Sequence, residues 1–297
     1  MKMTTLRLAP LFLLSAVLTA SAVNYSYDAA GRLSKIDYGS SGSITYSYDK
    51  AGNVLSRTVV SGGRNPAPST AAVVNGASFV PELSPGSWIT VAGTNLAVTR
   101  ADLTTLPMPT TLGGVRVLVN GVAIPLLVVL GTQINGQLPY EAKLGAGSLT
   151  VEVNGVASAA FPIVVKAAAP GIFLFADSRA VAQNVGDDGA LTLNTSENPI
   201  KPGKSMVVYL TGQGALDIPI ATGTQAGAAT LSRPVAASSV TVGGKSAIVD
   251  FLGMTPGQIS LVQANIRIPD DLTVGEHQVV VTIGGQASNS AKISVLP

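Results

Sequence analysis

The heptapeptide Pro85-Gly86-Ser87-Trp88-Ile89-Thr90-Val91 recurs in outline as Pro202-Gly203-Lys204-Ser205-Met206-Val207-Val208, 117 positions further on (202 minus 85). The echo continues in order. Val117-Leu118-Val119-Asn120-Gly121 answers Val240-Thr241-Val242-Gly243-Gly244, Gln133-Ile134-Asn135 answers Gln258-Ile259-Ser260, and Leu138-Pro139 answers Ile268-Pro269. Val153-Asn154-Gly155-Val156-Ala157-Ser158 answers Ile283-Gly284-Gly285-Gln286-Ala287-Ser288. Ordered matches at drifting offsets imply one unit built twice, with loop insertions. The units are placed at 72–166 and 167–297, joined near Lys166-Ala167-Ala168-Ala169-Pro170-Gly171.

Each unit has about the hundred-residue size of an immunoglobulin-like domain. Its local pattern is that of strands. Val115-Arg116-Val117-Leu118-Val119, Leu149-Thr150-Val151-Glu152-Val153 and Asn265-Ile266-Arg267-Ile268 alternate apolar and polar side chains, and Val279–Ile283 reads as a more buried strand. Asn120-Gly121, Asn154-Gly155, Gly243-Gly244 and Gly284-Gly285 are the pairs that close type I′ hairpins. No helical period extends beyond two turns after residue 23. With Gly 32 and Pro 18 among 297 residues, many short strands and turns are favoured over long helices. The fold class expected is all-β: tandem immunoglobulin-like β-sandwiches behind a short N-terminal hairpin segment.

That N-terminal segment carries a second, shorter repeat. Tyr25-Ser26-Tyr27-Asp28-Ala29-Ala30-Gly31-Arg32-Leu33 returns as Tyr46-Ser47-Tyr48-Asp49-Lys50-Ala51-Gly52-Asn53-Val54. Alternating tyrosines suit a strand, Asp opens a turn, and Gly supplies the positive φ that closes it. Each copy is expected as a small hairpin. The pattern resembles the YD repeats of Rhs-type and teneurin-like proteins, over 23–60. Those proteins use many repeats to enclose a cargo, and two copies enclose nothing. A linker rich in Gly, Pro and Ser follows at 61–71.

Residues 72–297 are similar to the Solibacter uncharacterised C-terminal domain family. The stretches that carry the likeness include Asn75-Gly76-Ala77-Ser78-Phe79, Gly93-Thr94-Asn95-Leu96, Ala169-Pro170-Gly171-Ile172-Phe173 and Ile266-Arg267-Ile268-Pro269. Gly76 and Gly136 depart from that family's pattern. The Gly-x-Asn-Leu piece resembles IPT/TIG immunoglobulin-like domains. The resemblance implies secretion and a sandwich fold, and it brings no catalytic residues.

Lys2 and Arg7, the apolar run Leu8–Leu18 and the small residues Ala20-Ser21-Ala22 together read as a signal peptide at 1–22. The chain is therefore expected to be secreted, extracellular or in the cell envelope, with no membrane span after cleavage. The whole sequence has 18 basic and 16 acidic residues. Removing Lys2 and Arg7 leaves 16 against 16, so no basic field remains for a nucleic-acid partner. Cysteine is absent, which excludes disulfide and thiolate chemistry.

Few residues suggest chemistry. His277, the only histidine, is read as an exposed edge residue. Trp88, the only tryptophan, is expected in a sandwich core. Asp187-Asp188-Gly189 is read as a hairpin turn; a calcium loop on Asp187 and Asp188, helped by Asn184, Asn194 and Glu197, has too few acids for a cation that wants six to eight oxygens. No cofactor is implied. Tyr25, Tyr27, Tyr46 and Tyr48 form the candidate ligand-binding set, since aromatic faces stack on sugars or peptides, although the repeat also needs them for packing.

The expected role is a non-enzymatic structural, adhesive or protein-interaction module whose partner is an extracellular protein or a glycan. The alternative is a carbohydrate-binding protein using the YD tyrosines or a sandwich loop. Asp270-Asp271 reads as a loop, and a hydrolase with an unrecognised acid pair ranks last. The export reading is checked directly: mass spectrometry of the exported protein should find Val23 at the N-terminus, and an intact Met1 would refute it.

Overall fold

The computed structural model describes residues 23–39, 42–61 and 67–296. The expected signal peptide and part of the expected linker lie outside these ranges. No α-helix occurs among the described residues, and the chain is all-β. It divides into two compact units, 1–65 and 66–297.

The first unit is a four-stranded antiparallel meander of β1 (Asn24–Tyr27), β2 (Leu33–Asp37), β3 (Gly42–Tyr48) and β4 (Val54–Ser61). The two YD copies are thus joined through β2–β3 into one sheet, where two separate hairpins were expected. That junction supplies the additional strand pairing an isolated hairpin lacks.

The second unit begins with β5 (Ser69–Asn75), β6 (Glu82–Leu83), β7 (Trp88–Thr94), β8 (Ala101–Asp102), β9 (Val115–Val119) and β10 (Val122–Ala123). It continues through β11 (Leu126–Val129), β12 (Gln133–Gln137), β13 (Gly145–Val153), β14 (Val156–Ala157) and β15 (Phe161–Val165). One sheet runs β5-β7-β12-β11-β8 and the other β10-β9-β13-β15-β6. All pairings are antiparallel except β6 with β15. This is the A-B-E-D against C-F-G arrangement of an immunoglobulin sandwich. Inward alternation supplies the core: Val115, Val117 and Val119 face Ile89, Val91 and Ile134, among others.

The second sandwich repeats the plan with β16 (Gly171–Ile172), β17 (Ala182–Val185), β18 (Leu191–Leu193), β19 (Ser205–Thr211), β20 (Ser238–Val242) and β21 (Lys245–Ser246). After these come β22 (Ile248–Met254), β23 (Val262–Arg267), β24 (Gly275–Ile283), β25 (Gln286–Ala287) and β26 (Ala291–Val295). One sheet is β18-β17-β19-β23-β22, and β20, β24 and β26 form the other. Its core is a separate cluster that includes Met206, Val208, Leu252, Val281 and Ile293.

Equivalent hydrogen bonds confirm the duplication at atomic detail. Ser158 Oγ accepts from Val151 N at 3.0 Å, and Ser288 Oγ accepts from Val281 N at 3.0 Å. Gly86 N donates to Leu138 O at 2.9 Å, and Gly203 N to Ile268 O at 2.9 Å. At Asn120-Gly121, Asn154-Gly155, Gly243-Gly244 and Gly284-Gly285 both residues have positive φ, as type I′ turns demand.

One expected equivalence is corrected. Thr90 pairs with Asn135, and its repeat partner Val207 pairs with Asn265. The counterpart of Gln133-Ile134-Asn135 is therefore Gln263-Ala264-Asn265, whereas Gln258-Ile259-Ser260 precedes the strand. The side chains agree: Gln133 Nε2 donates to Asn135 Oδ1 at 2.6 Å, and Gln263 Nε2 to Asn265 Oδ1 at 3.1 Å. The Gln-Ile pair at 258–259 resembles 133–134, but the register is set by the ladder.

Gly76 and Gly136 stand where a side chain would be crowded. A Cβ on Gly76 would lie 3.0 Å from Trp88 Cβ, and one on Gly136 would lie 2.7 Å from Pro125 O.

The two sandwiches are bound along a buried polar seam. Asn75 Nδ2 donates to Ala169 O at 2.8 Å, and Ala169 N to Gly212 O at 2.9 Å. Trp88 N donates to Thr211 Oγ1 at 3.0 Å, and Thr211 Oγ1 donates to Ser260 O at 2.8 Å. Gly223 N reaches Gln137 Oε1 at 2.6 Å, and Tyr140 N reaches Thr222 Oγ1 at 3.0 Å. Gly212 has φ +89, and any Cβ there would collide with the Ala169 carbonyl. Gly212→Ala should cost roughly 2–4 kcal/mol, read as a lower denaturation midpoint at unchanged m-value. Gly121→Ala, where the space is open at φ +82, should cost about 1 kcal/mol.

Candidate functional site

The four candidate tyrosines lie on one face of the YD sheet. Cross-strand register aligns Tyr25, Ile36, Ile44 and Val59, and Tyr46 opposes Arg57. Period-two alternation adds Tyr27 and Tyr48 to that side. Ser26, Lys35, Thr45 and Thr58 share the opposite face, which is mostly polar and also carries Val60.

The tyrosines are not equivalent. Tyr25 and Tyr27 are 57% and 62% exposed, whereas Tyr46 and Tyr48 are half-buried. The Tyr48 hydroxyl donates to Leu33 O at 2.8 Å, and the Arg32 guanidinium lies 4.6 Å from its ring centroid. Arg32 is itself fixed by Asp28 (Nε to Oδ2, 2.8 Å) and donates to Asp49 O at 3.2 Å. One side chain of the first copy thus clamps the tyrosine and the turn of the second. Position 53, the counterpart of Arg32, is Asn, and its amide reaches only its own turn acid, Asp49 Oδ2, at 2.9 Å. Tyr48 is a packing residue, and Tyr25 and Tyr27 are the ones free to meet a ligand.

The calcium candidates do not converge. Asp187 pairs with Lys204 Nζ at 2.6 Å, while Asp188 Oδ1 accepts from Ala190 N at 2.9 Å inside the β17–β18 hairpin. Asn184 and Asn194 turn inward. Asn194 Nδ2 donates to Asn184 Oδ1 and to Ser294 O, both at 3.0 Å, and pins the hairpin to the opposite sheet. Glu197 is held down by hydrogen bonds within its own loop. No group of three His, Cys, Asp or Glu able to hold a metal occurs among the described residues.

Asp271 of the Asp270-Asp271 loop is engaged elsewhere. Asp271 is bound by Lys245 at 2.6 Å, which depresses its carboxyl below the ordinary value. Asp187 and Asp250 are likewise lowered, by hydrogen bonds from Lys204 and Arg267. A general acid at neutral pH needs the opposite shift.

Two single residues sit differently from expectation. His277 is half-buried, with β24 paired to β26 beside it, and its Nε2 lies 2.7 Å from Thr273 O. It packs over Gly243, where any Cβ would fall 2.8 Å from its Nδ1. Trp88 is not a core residue. Ile89 and Val91 point into the sandwich, so alternation turns Trp88 outward, half-buried, toward the second sandwich.

There it lines a cleft of about 680 Å³. Half-buried Trp88, Leu103, Leu127, Ile259 and Leu261 make an apolar floor, and exposed Thr104, Thr105, Gln225 and Gln258 make the rim. No lining residue is ionisable. Gln225 Nε2 donates to Gly257 O at 2.7 Å. Only the uniqueness of Trp88 signalled this cleft in the sequence, because its other wall comes from the second sandwich. Tyr140, nearby in the seam, has its hydroxyl pKa pushed up by burial.

The chain matches the RHS Repeat family over residues 27–64. No curated protein matches the sequence. Among solved structures, the chain is similar to the SGBP-B protein of the Bacteroides ovatus mixed-linkage glucan utilization locus, solved with a mixed-linkage heptasaccharide. Identity there is 12%, over 91% of this chain and 57% of that one, with TM-score 0.36. A surface glycan-binding protein of Prevotella bryantii is 13% identical over 75% of this chain and 41% of its own, with TM-score 0.24. The titin I9–I11 tandem is 8% identical over 94% of this chain and 90% of its own, with TM-score 0.22. The chain therefore spans about half the length of the first two.

The turn acids of the YD sheet generate a prediction. Asp28 is lowered from 3.8 chiefly by the Arg32 main-chain hydrogen bond, and Asp49 chiefly by the Asn53 side chain. Depressed carboxyls add stability above their unfolded value and lose it as pH falls through the folded one. The tyrosine near-UV dichroism of this sheet should therefore fade from about pH 4 downward. In Asp28→Asn/Asp49→Asn the sheet should be weaker at neutral pH and flat across that range.

Proposed function

We propose that the chain is an extracellular, non-enzymatic contact module. Its fused sandwiches serve as a stiff spacer, and the YD sheet offers an adhesive face to a protein partner. The observation that carries this is the segregation of the YD sheet into one tyrosine-rich and one mostly polar face, with Tyr25 and Tyr27 more than half exposed. Tyrosine supplies large, amphipathic contact area at small entropic cost and is enriched in the cores of protein interfaces. The many hydrogen bonds of the seam support the spacer role, because a hinge between domains would lack them.

Export follows in this reading from the signal peptide at 1–22, and the likeness of 72–297 to the Solibacter and IPT/TIG-like domains belongs to it as well. The match to Rhs repeats at 27–64 supports a contact surface and does not extend to cargo enclosure.

The test compares the mature chain with Tyr25→Ser/Tyr27→Ser on cells of the producing bacterium, on immobilised extracellular proteins and on a glycan array. Retention on protein surfaces should fall by roughly tenfold or more, with the thermal midpoint of the sandwiches unchanged. A loss confined to the glycan array would reassign the tyrosines to carbohydrate. No change on any surface would refute the contact face.

A further inference from the structure

We infer that the cleft between the two sandwiches is a binding site for an uncharged oligosaccharide. The inference does not depend on the tyrosine face. It starts from Trp88, the only tryptophan in the chain, which stands half-buried at the floor of the cleft although the same strand buries Ile89 and Val91 completely.

The chemistry of the walls selects the ligand. None of the lining side chains is charged. An anionic ligand would find no cation, and a charged one of either sign would lose hydration without a partner. The floor is apolar and the rim offers Thr104 and Thr105 hydroxyls with the Gln225 and Gln258 carboxamides. Because Gln225 Nε2 is committed to Gly257 O, its Oε1 remains as an acceptor. A pyranose ring has the complementary distribution: a C–H face for an indole and leucine floor, and hydroxyls around its edge for neutral donors and acceptors. At about 680 Å³ the cleft lies within the range of small-ligand sites, which pair an apolar lining with a few placed polar groups.

The site is also assembled before any ligand arrives. Thr211, which is 0% exposed, accepts from Trp88 N on one wall and donates to Ser260 O on the other. Gly76 keeps the backbone beside Trp88 free of a side chain that would press on its Cβ at 3.0 Å. Little ordering is left for binding to oppose. Thr211 is thus a positioning residue, since it touches the walls and not the cleft.

The single tryptophan makes the test direct. The intrinsic fluorescence of the full mature chain is titrated with cello-, xylo-, manno- and galacto-oligosaccharides, and with oligogalacturonate as an anionic control. A saturable change in emission is expected with at least one neutral series and none with the anionic one. Isothermal calorimetry with the responding sugar should show roughly tenfold or greater weakening in Trp88→Ala, and a smaller loss in Gln258→Ala, an exposed side chain whose removal leaves the fold intact. Thr211→Val should weaken binding and broaden the emission of the free protein, while Tyr25→Ser/Tyr27→Ser should leave binding unchanged. The inference is overturned if no neutral sugar perturbs Trp88, if the anionic series or an apolar peptide binds there instead, or if Gln258→Ala and Trp88→Ala both bind like the parent.

Discussion

The hydroxyl of Thr211 is inaccessible to solvent and joins three segments of chain. It lies at the end of a central strand of the second sandwich, receives the Trp88 amide of the first, and holds the carbonyl of Ser260 in the turn before β23. Around it Asn75, Gln137 and Gly212 make further bonds between the sandwiches. Buried donors and acceptors are costly unless paired, so these bonds favour the observed placement of the two domains, although the Gln213 carboxamide and the Gln137 Nε2 stay buried without partners. The direction of Trp88, the shape of the cleft and the stiffness of the pair all depend on that placement. A purely apolar joint would hold the sandwiches together with less control over their angle, because hydrophobic burial is not directional.

The duplication explains how the seam arises. Both sandwiches share the order of their central strands, β7-β12-β11 and β9-β13-β15 against β19-β23-β22 and β20-β24-β26, their type I′ turns and their side-chain clamps at Ser158 and Ser288. They differ where the joint needs them to differ. Gly212 and Gly214 allow main chain to approach Ala169 and Ala167 closely, while the positions 117 residues earlier in the first sandwich are Asn95 and Ala97. The YD copies show a similar asymmetry. Arg32 reaches from the first copy into the second, and Asn53 ends the sequence of such clamps with a local bond.

Charge plays a modest part in either unit. The ion pairs are exposed or half-exposed, as at Arg100–Asp102 and Arg267–Asp250, and pairs of that kind contribute little stability each. Their consequence is to occupy carboxylates. Asp187, Asp250 and Asp271 are each held by a neighbouring cation.

The sequence by itself determined the all-β class and the tandem sandwich architecture, since period-two alternation and Asn-Gly or Gly-Gly turns act over a few residues and can be read locally. It also singled out the Asp-Gly hairpin at 187–189 and the YD tyrosines. It misplaced Trp88 and His277, treated the YD copies as two hairpins, and paired Gln133 with the wrong glutamine. Each of these depends on what lies across a ladder or across the domain joint. Alternation says that Trp88 and Ile89 face opposite ways, but only the neighbouring sandwich decides that the outward side becomes the floor of a cleft. Tertiary structure likewise distinguished Tyr48 from Tyr25 and Tyr27, because the hydrogen bond to Leu33 and the stacking of Arg32 join residues fifteen or more positions apart, where no local pattern reaches.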